Sequence, residues 1–150
     1  MMQYLSVHDL VWINSSVLGK SVDFDYETLE AAMASQYSYG NSTNVAGQAA
    51  GLLASFLKKP PFEIGNRRTA FIAVGTFLTA NGYRLKVNDD DSADIVQRTA
   101  SREITPADAV ELLAEKDETS AHTSIPLRTL VSHVMNGHTA AIQNLTRGDE

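Results

Sequence analysis

Apolar residues recur along the chain at helical spacing. Val7, Leu10, Val11 and Leu18 fall close to one face, and Ser6 followed three residues later by Asp9 has the form of a capping box, so a first helix is predicted from Val7 to Val17. Asp25 caps a second helix carrying Leu29, Ala32 and Met33, which leads into the turn-rich stretch Ser35 to Asn41, expected as an exposed loop or hairpin. From Val45, the residues Ala49, Leu52, Leu53, Phe56 and Leu57 describe an amphipathic helix. Its small residues Gly47, Ala50, Gly51 and Ala54 permit close packing. Lys58 and Lys59 complement its negative end, and Pro60-Pro61 terminates it.

Another helix begins near Asn66. Ala70, Phe71, Val74, Phe77 and Leu78 are apolar over a wide arc and Asn81-Gly82 supplies a left-handed stop, which makes this the predicted central helix. After the acidic turn Asn88 to Asp91, Asp91 or Ser92 caps a helix through Ala100. Thr105-Pro106-Ala107-Asp108 starts one that reaches Lys116, and Asp117 to Thr123 is expected as a loop. The last helix runs from Leu127 to Leu145, weakened in its middle by Gly137. No internal repeat or sustained heptad is present, and the predicted class is all-α, six to seven helices with one short β-hairpin.

A chain of 150 residues is long enough to bury a core without covalent staples and fits one domain. The absence of cysteine excludes disulfides, thiolate zinc sites and thiol nucleophiles. The longest uncharged apolar stretch, Thr69 to Gly82, is about 14 residues, short of the roughly 20 that span a bilayer. Met1 to Leu10 lacks the basic-then-apolar order of an export signal, so a cytoplasmic protein without a membrane partner is expected. A formal charge of -6 disfavours direct nucleic-acid binding but leaves room for a nucleotide site lined by a few cations.

The candidate chemistry lies in Phe62-Glu63-Ile64-Gly65-Asn66-Arg67-Arg68-Thr69-Ala70, a loop feeding straight into the central helix. Two readings stand side by side. In one, Gly65 shapes the turn, Asn66 caps the helix and both arginines are solvated. In the other, backbone amides near Gly65, Asn66 and Arg67 converge on an anion, and Arg68 adds charge-assisted contacts.

This segment resembles the signature of the Fic/Doc family, H-x-F-x-(D/E)-(G/A)-N-(G/K)-R, which the Doc branch continues with T-A and then F-L-x-x-N-G-Y. Thr69-Ala70 and Phe77-Leu78-Thr79-Ala80-Asn81-Gly82-Tyr83 match that continuation, and the likeness extends upstream through Leu29-Glu30-Ala31-Ala32 to Tyr4-Leu5-Ser6. It implies a Fido fold with its core over roughly residues 4–98 and additional helices over 105–146. Arg67 stands where Fic proteins have glycine and Doc-like proteins lysine, so the resemblance is nearer to Doc, the branch whose toxin phosphorylates a translation factor.

By that resemblance Asn66 and Arg68 hold nucleotide phosphates, Gly65 and Arg67 shape the anion site, and Phe62 anchors the loop. Tyr37, Ser38 and Tyr39 fall on the flap that clamps a target peptide by strand addition, although loop tyrosines are also ordinary packing residues. The implied ligand is ATP, and the implied partners are a small antitoxin and a protein target. No glutamate precedes Gly or Asn, so the family's self-inhibitory motif is missing and any inhibitor is expected to be a separate chain.

Two positions depart from the pattern. The family's general-base histidine falls on Pro60, which cannot take a proton from a hydroxyl, a contribution of about 10²–10⁴-fold in rate. Its acidic metal ligand falls on Ile64, which cannot coordinate Mg²⁺. Glu63 is the one acid nearby that could substitute. His8, His122, His133 and His138 show no ligand spacing and are expected at the surface. The leading expectation is therefore a Doc-like binding or regulatory protein without efficient phosphotransfer. The competing one is an active, divergent phosphotransferase or nucleotidyltransferase using Glu63, and the third is an interaction module using the flap or the C-terminal helices.

Overall fold

The computed structural model describes residues 2–37, 44–117, 125–146 and 149. Its order is α1 (Val7–Leu18), α2 (Tyr26–Ala34), α3 (Val45–Lys58), α4 (Asn66–Ala80), β1 (Tyr83–Leu85), α5 (Asp89–Ala100), α6 (Pro106–Leu113), β2 (Ala114–Lys116), α7 (Leu127–Gly137) and α8 (Thr139–Leu145). The all-α class holds, with one small antiparallel pair in which Tyr83, Arg84 and Leu85 face Lys116, Glu115 and Ala114.

The helix starts follow local side-chain chemistry. The Ser6 hydroxyl accepts from the Asp9 amide at 3.1 Å while the Asp9 carboxylate accepts from the Ser6 amide at 2.9 Å, the expected capping box. Asp25 accepts from the hydroxyl and the amide of Thr28, and these bonds, the hydroxyl's first, hold its carboxyl below its ordinary pKa. The fifth helix is capped by Asn88, which accepts from the Asp91 amide at 2.9 Å, rather than by the expected Asp91 or Ser92. Asn88 wins because its side chain satisfies an amide that would otherwise lack a partner, leaving three aspartates in the first turn, where the helix dipole favours them.

α4 is the axis of the fold. Every residue from Thr69 to Leu78 is buried, and α1, α3 and α7 pack around it. Withdrawing each of Phe71, Ile72, Val74, Phe77 and Leu78 from water contributes roughly 1.5–3 kcal/mol. The helix ends as expected at Asn81-Gly82, with Gly82 at φ 90°.

Three expectations are corrected. The helix from Thr105 stops at Leu113, and Ala114–Lys116 become β2, because the polar backbone there finds partners on β1. The long last helix is two: the chain breaks at His138, beside the weak Gly137, and His138 packs its ring edge-on to Phe71 at 5.4 Å rather than standing free in solvent. Gln36, expected in an exposed loop, is fully buried. Its side chain accepts from the Leu5 amide at 2.8 Å and donates to the carbonyls of Leu5 at 2.6 Å and Met33 at 2.8 Å, pairing an otherwise open segment before α1.

Among the described residues no helix is long and apolar enough to cross a membrane. Replacing Gln36 with alanine leaves the Leu5 amide and carbonyl unpaired and should lower stability by about 2 kcal/mol, measured by urea denaturation. Because the folded pKa of Asp25 is depressed, its cap stabilises above the unfolded pKa and is lost as pH falls through the folded one. Asp25→Asn should therefore reduce the acid-side slope of melting temperature against pH.

Candidate functional site

The loop between α3 and α4 is held on three sides. Proline at positions 60 and 61 prevents α3 from continuing, and residues 61–63 instead lie antiparallel to residues 23–25. The Asp25 amide donates to the Pro61 carbonyl and the Glu63 amide to the Asp23 carbonyl, each at 2.9 Å. This places Phe62 inward at 5% exposure, with ring centroids 5.7 Å from Phe24 and 6.3 Å from Phe56. On the second side, Asn14 of α1, 1% exposed, donates to the Ile64 carbonyl and the Thr69 hydroxyl, each at 3.1 Å. On the third, the Asn66 side chain accepts from the Phe62 amide at 2.9 Å and donates to its carbonyl at 2.8 Å.

Gly65 occupies the N-cap position of α4 at φ 84°. A Cβ there would lie 3.0 Å from Leu18 Cδ2 and 3.2 Å from Asn14 Nδ2, so both the backbone and the space demand glycine. With glycine at the cap, α4 has no side chain of its own to receive its first amides.

An acid from far along the chain receives them. The Asp149 carboxylate accepts from the Arg67 amide at 2.6 Å, from the Arg68 amide at 2.9 Å and from Arg68 Nε at 2.9 Å. The Gly65 amide donates to the Asp149 carbonyl at 3.2 Å. The Arg68 and Asp149 side chains retain 12% and 2% of their exposure, so the pair is desolvated. One carboxylate oxygen thus lies on the Arg67 amide and the other on the Arg68 amide. Arg67 turns its guanidinium away to the Gln97 side chain on α5.

α8 delivers Asp149. That helix is tied to α5, where Asp89 accepts from the Ala140 amide at 3.0 Å and Asp90 from the Asn144 side chain at 3.2 Å. Beside the anion contact opens a cleft of about 320 Å³ lined by Pro60, Glu63, Asn66, Arg67, Ala100 and Asp149. Leu57 and Ala100 also wall a larger cavity of about 730 Å³, whose charged lining is Lys58, Arg102, Glu103 and Asp108.

The structure thus brings Pro60, Glu63, Asn66 and Arg67 to one cleft, which is also lined by Asp149, the residue to which the Gly65 and Arg68 donors are bonded. Asn66 does not cap α4, and both polar atoms of its side chain are engaged by Phe62. Ile64 is half-buried and its side chain has no oxygen for a cation; no group of three or more His, Asp or Glu among the described residues could hold a metal. Tyr37 is partly exposed and tilts against the Tyr4 ring at 4.4 Å, while Ser38, Tyr39 and His122 lie outside the described residues. His8 and His133 are exposed, as expected. Sequence reasoning missed Asn14, Gln97 and Asp149. Asn14 and Gln97 are single polar residues on helices whose patterns mark only the core face, and Asp149 acts 81 residues from Arg68.

The helix on which the fold is centred thus starts at a bare N-terminus that receives a carboxylate. Comparison with known proteins places the chain more narrowly. It is 33% identical over 110 residues to Toxin Doc of Mycolicibacterium smegmatis, an alignment covering 69% of this chain and 85% of that relative. The chain belongs to the Doc family. No protein-family model matches it, and no solved structure matches it.

Gly65→Ala should cost about 2 kcal/mol, from the positive φ and the contact with Leu18, and should displace the Arg67 and Arg68 amides. Urea denaturation checks the first effect, and amide chemical shifts of residues 65–69 the second.

Proposed function

We propose that this Doc relative is the toxin-type component of a toxin–antitoxin pair with a Fido fold, and that it retains a phosphate-receiving site but not efficient phosphotransfer. It would act as a binding or regulatory protein. One observation carries this reading: an intact donor set on the α4 N-terminus beside two positions, Pro60 and Ile64, that can neither take a proton nor hold a cation.

The likeness to Toxin Doc supports the toxin class and an antitoxin-like protein partner. ATP fits the site as far as its phosphates do. The Arg67 and Arg68 amides and Arg68 Nε would receive phosphate oxygens, and the adjoining cavity bounded by Leu57 and Ala100 has room for the nucleoside. Mg²⁺ does not fit, since the Ile64 side chain offers it nothing and no other cluster of ligands among the described residues compensates. The chain's residues would then bind and orient a phosphate while leaving the hydroxyl of a protein target unactivated. A formal charge of -6 supports neither direct nucleic-acid contact nor a membrane partner.

A second reading, an active phosphotransferase or nucleotidyltransferase, is favoured by Glu63, which is exposed and lines the same cleft as Arg67. Its carboxylate would serve as the base.

The two are separated by titrating the protein with ATP in a calorimeter and following label from ATP onto protein in the same samples. Binding without transfer is expected, and transfer abolished by Glu63→Gln would establish the second reading. Pro60→His combined with Ile64→Asp should raise transfer by at least about 10²-fold if only the base and the cation ligand were lost. A folded, inert double variant would mean that the site has diverged more widely.

A further inference from the structure

We infer that the larger cavity, between the ends of α3 and α5 and the start of α6, receives a negatively charged group of its own, so that the ligand is a nucleotide with a phosphate on its ribose as well as at its 5′ end. This rests on the reading of the adjoining cleft as the place of the 5′ phosphate and narrows the class of nucleotide.

The cavity measures about 730 Å³, within the roughly 300–1,000 Å³ of small-molecule sites. Leu57, Ala100 and Ile104 give it apolar wall, and Lys58 and Arg102 are its cations. Neither cation forms an ion pair; those of the described residues involve Arg68, Arg84 and Arg98. Of the two acids on the wall, Glu103 is taken by Arg98 at 3.2 Å, and Asp108 stands in the first turn of α6, where the helix dipole answers it. Two uncompensated cations remain.

The backbone of Arg102 carries the inference. At φ 67° it is the one non-glycine residue with positive φ among the described residues, whereas Gly19, Gly65 and Gly82 fill the other such positions. α5 ends there in a Schellman turn, in which the Arg102 amide donates to the Thr99 carbonyl at 3.1 Å and the Glu103 amide to the Arg98 carbonyl at 2.9 Å. Glycine would adopt this conformation without strain. An arginine held there, paired with no acid and on the wall of a cavity, makes a contact that the folded chain itself does not use.

Leu57 and Ala100 wall both the cavity and the cleft, in which Arg67 is the lining cation. A ligand that fills both therefore meets cations in each and apolar surface where they join. A nucleoside with phosphates on its 5′ oxygen and on a second ribose oxygen has that distribution of charge, and guanidinium and ammonium groups are suited to receive the second phosphate.

The test is calorimetric titration of the full chain with 5′-AMP and with the 2′,5′- and 3′,5′-bisphosphates of adenosine. One bisphosphate should bind at least about 10-fold more tightly than 5′-AMP, the gain of one charge-assisted contact. Arg102→Gly should abolish that advantage and Lys58→Ala reduce it, while Lys86→Ala, an equal loss of charge away from the cavity, should leave it intact. Arg102→Gly should also melt at a higher temperature than wild type, so that its lost binding is not lost folding. The proposal is overturned if neither bisphosphate outbinds 5′-AMP, if the advantage survives Arg102→Gly, or if that variant melts lower, which would make Arg102 a support of the turn. Arg68→Ala tells the two readings apart: unchanged 5′-AMP binding in that variant removes the phosphate from the cleft, and an Arg102-dependent advantage of the bisphosphate still supports the cavity.

Discussion

A helix buried on every side must still satisfy the amides at its start, and α4 is such a helix. Its flanks are consumed by α1, α3 and α7, so the end of its dipole and its first donors can be answered only along the axis, at the loop that leaves α3. Everything around that loop serves this constraint. The two prolines turn the chain, residues 23–25 brace it, Asn14 and Asn66 consume its carbonyls, and Gly65 allows the close approach. The seat taken by the Asp149 carboxylate follows from burying the axis of the fold.

Most of the helices were legible because their signals are local. Capping residues, apolar spacing and the Asn81-Gly82 stop act within a few positions, and they placed α1 to α4 closely. What escaped depends on partners distant in sequence. Ala114–Lys116 carries a helical pattern in isolation but pairs with β1, and Gln36 looks like a loop residue until Leu5 is beside it. The break at His138 was visible only as a weak Gly137. At the site, Gly65, Arg67 and Arg68 could be read from the motif, since a loop entering a helix is a local pattern. Asp149 could not, because nothing in an acid near Thr146 points to a helix that began 83 positions earlier at Asn66, roughly five and a half helix lengths of α4 away along the chain.

The Doc relationship and the site's chemistry pull in different directions, and the structure locates the tension in two adjacent groups of atoms. The amides of α4 belong to the backbone and survive any substitution that preserves the turn. A proton acceptor and a cation ligand would belong to side chains, and those of Pro60 and Ile64 can serve as neither. Backbone donors are thus the more durable half of a phosphoryl-transfer site.

The separation of Arg68 from Asp149 also has a meaning in time. At roughly 5–20 residues per second, synthesis needs on the order of 4–16 s to traverse the intervening chain. During that interval α3 and α4 can pack while the donors of α4 have no internal acid to receive them. The contact that satisfies these amides therefore belongs to a later stage of synthesis than the helix that needs it.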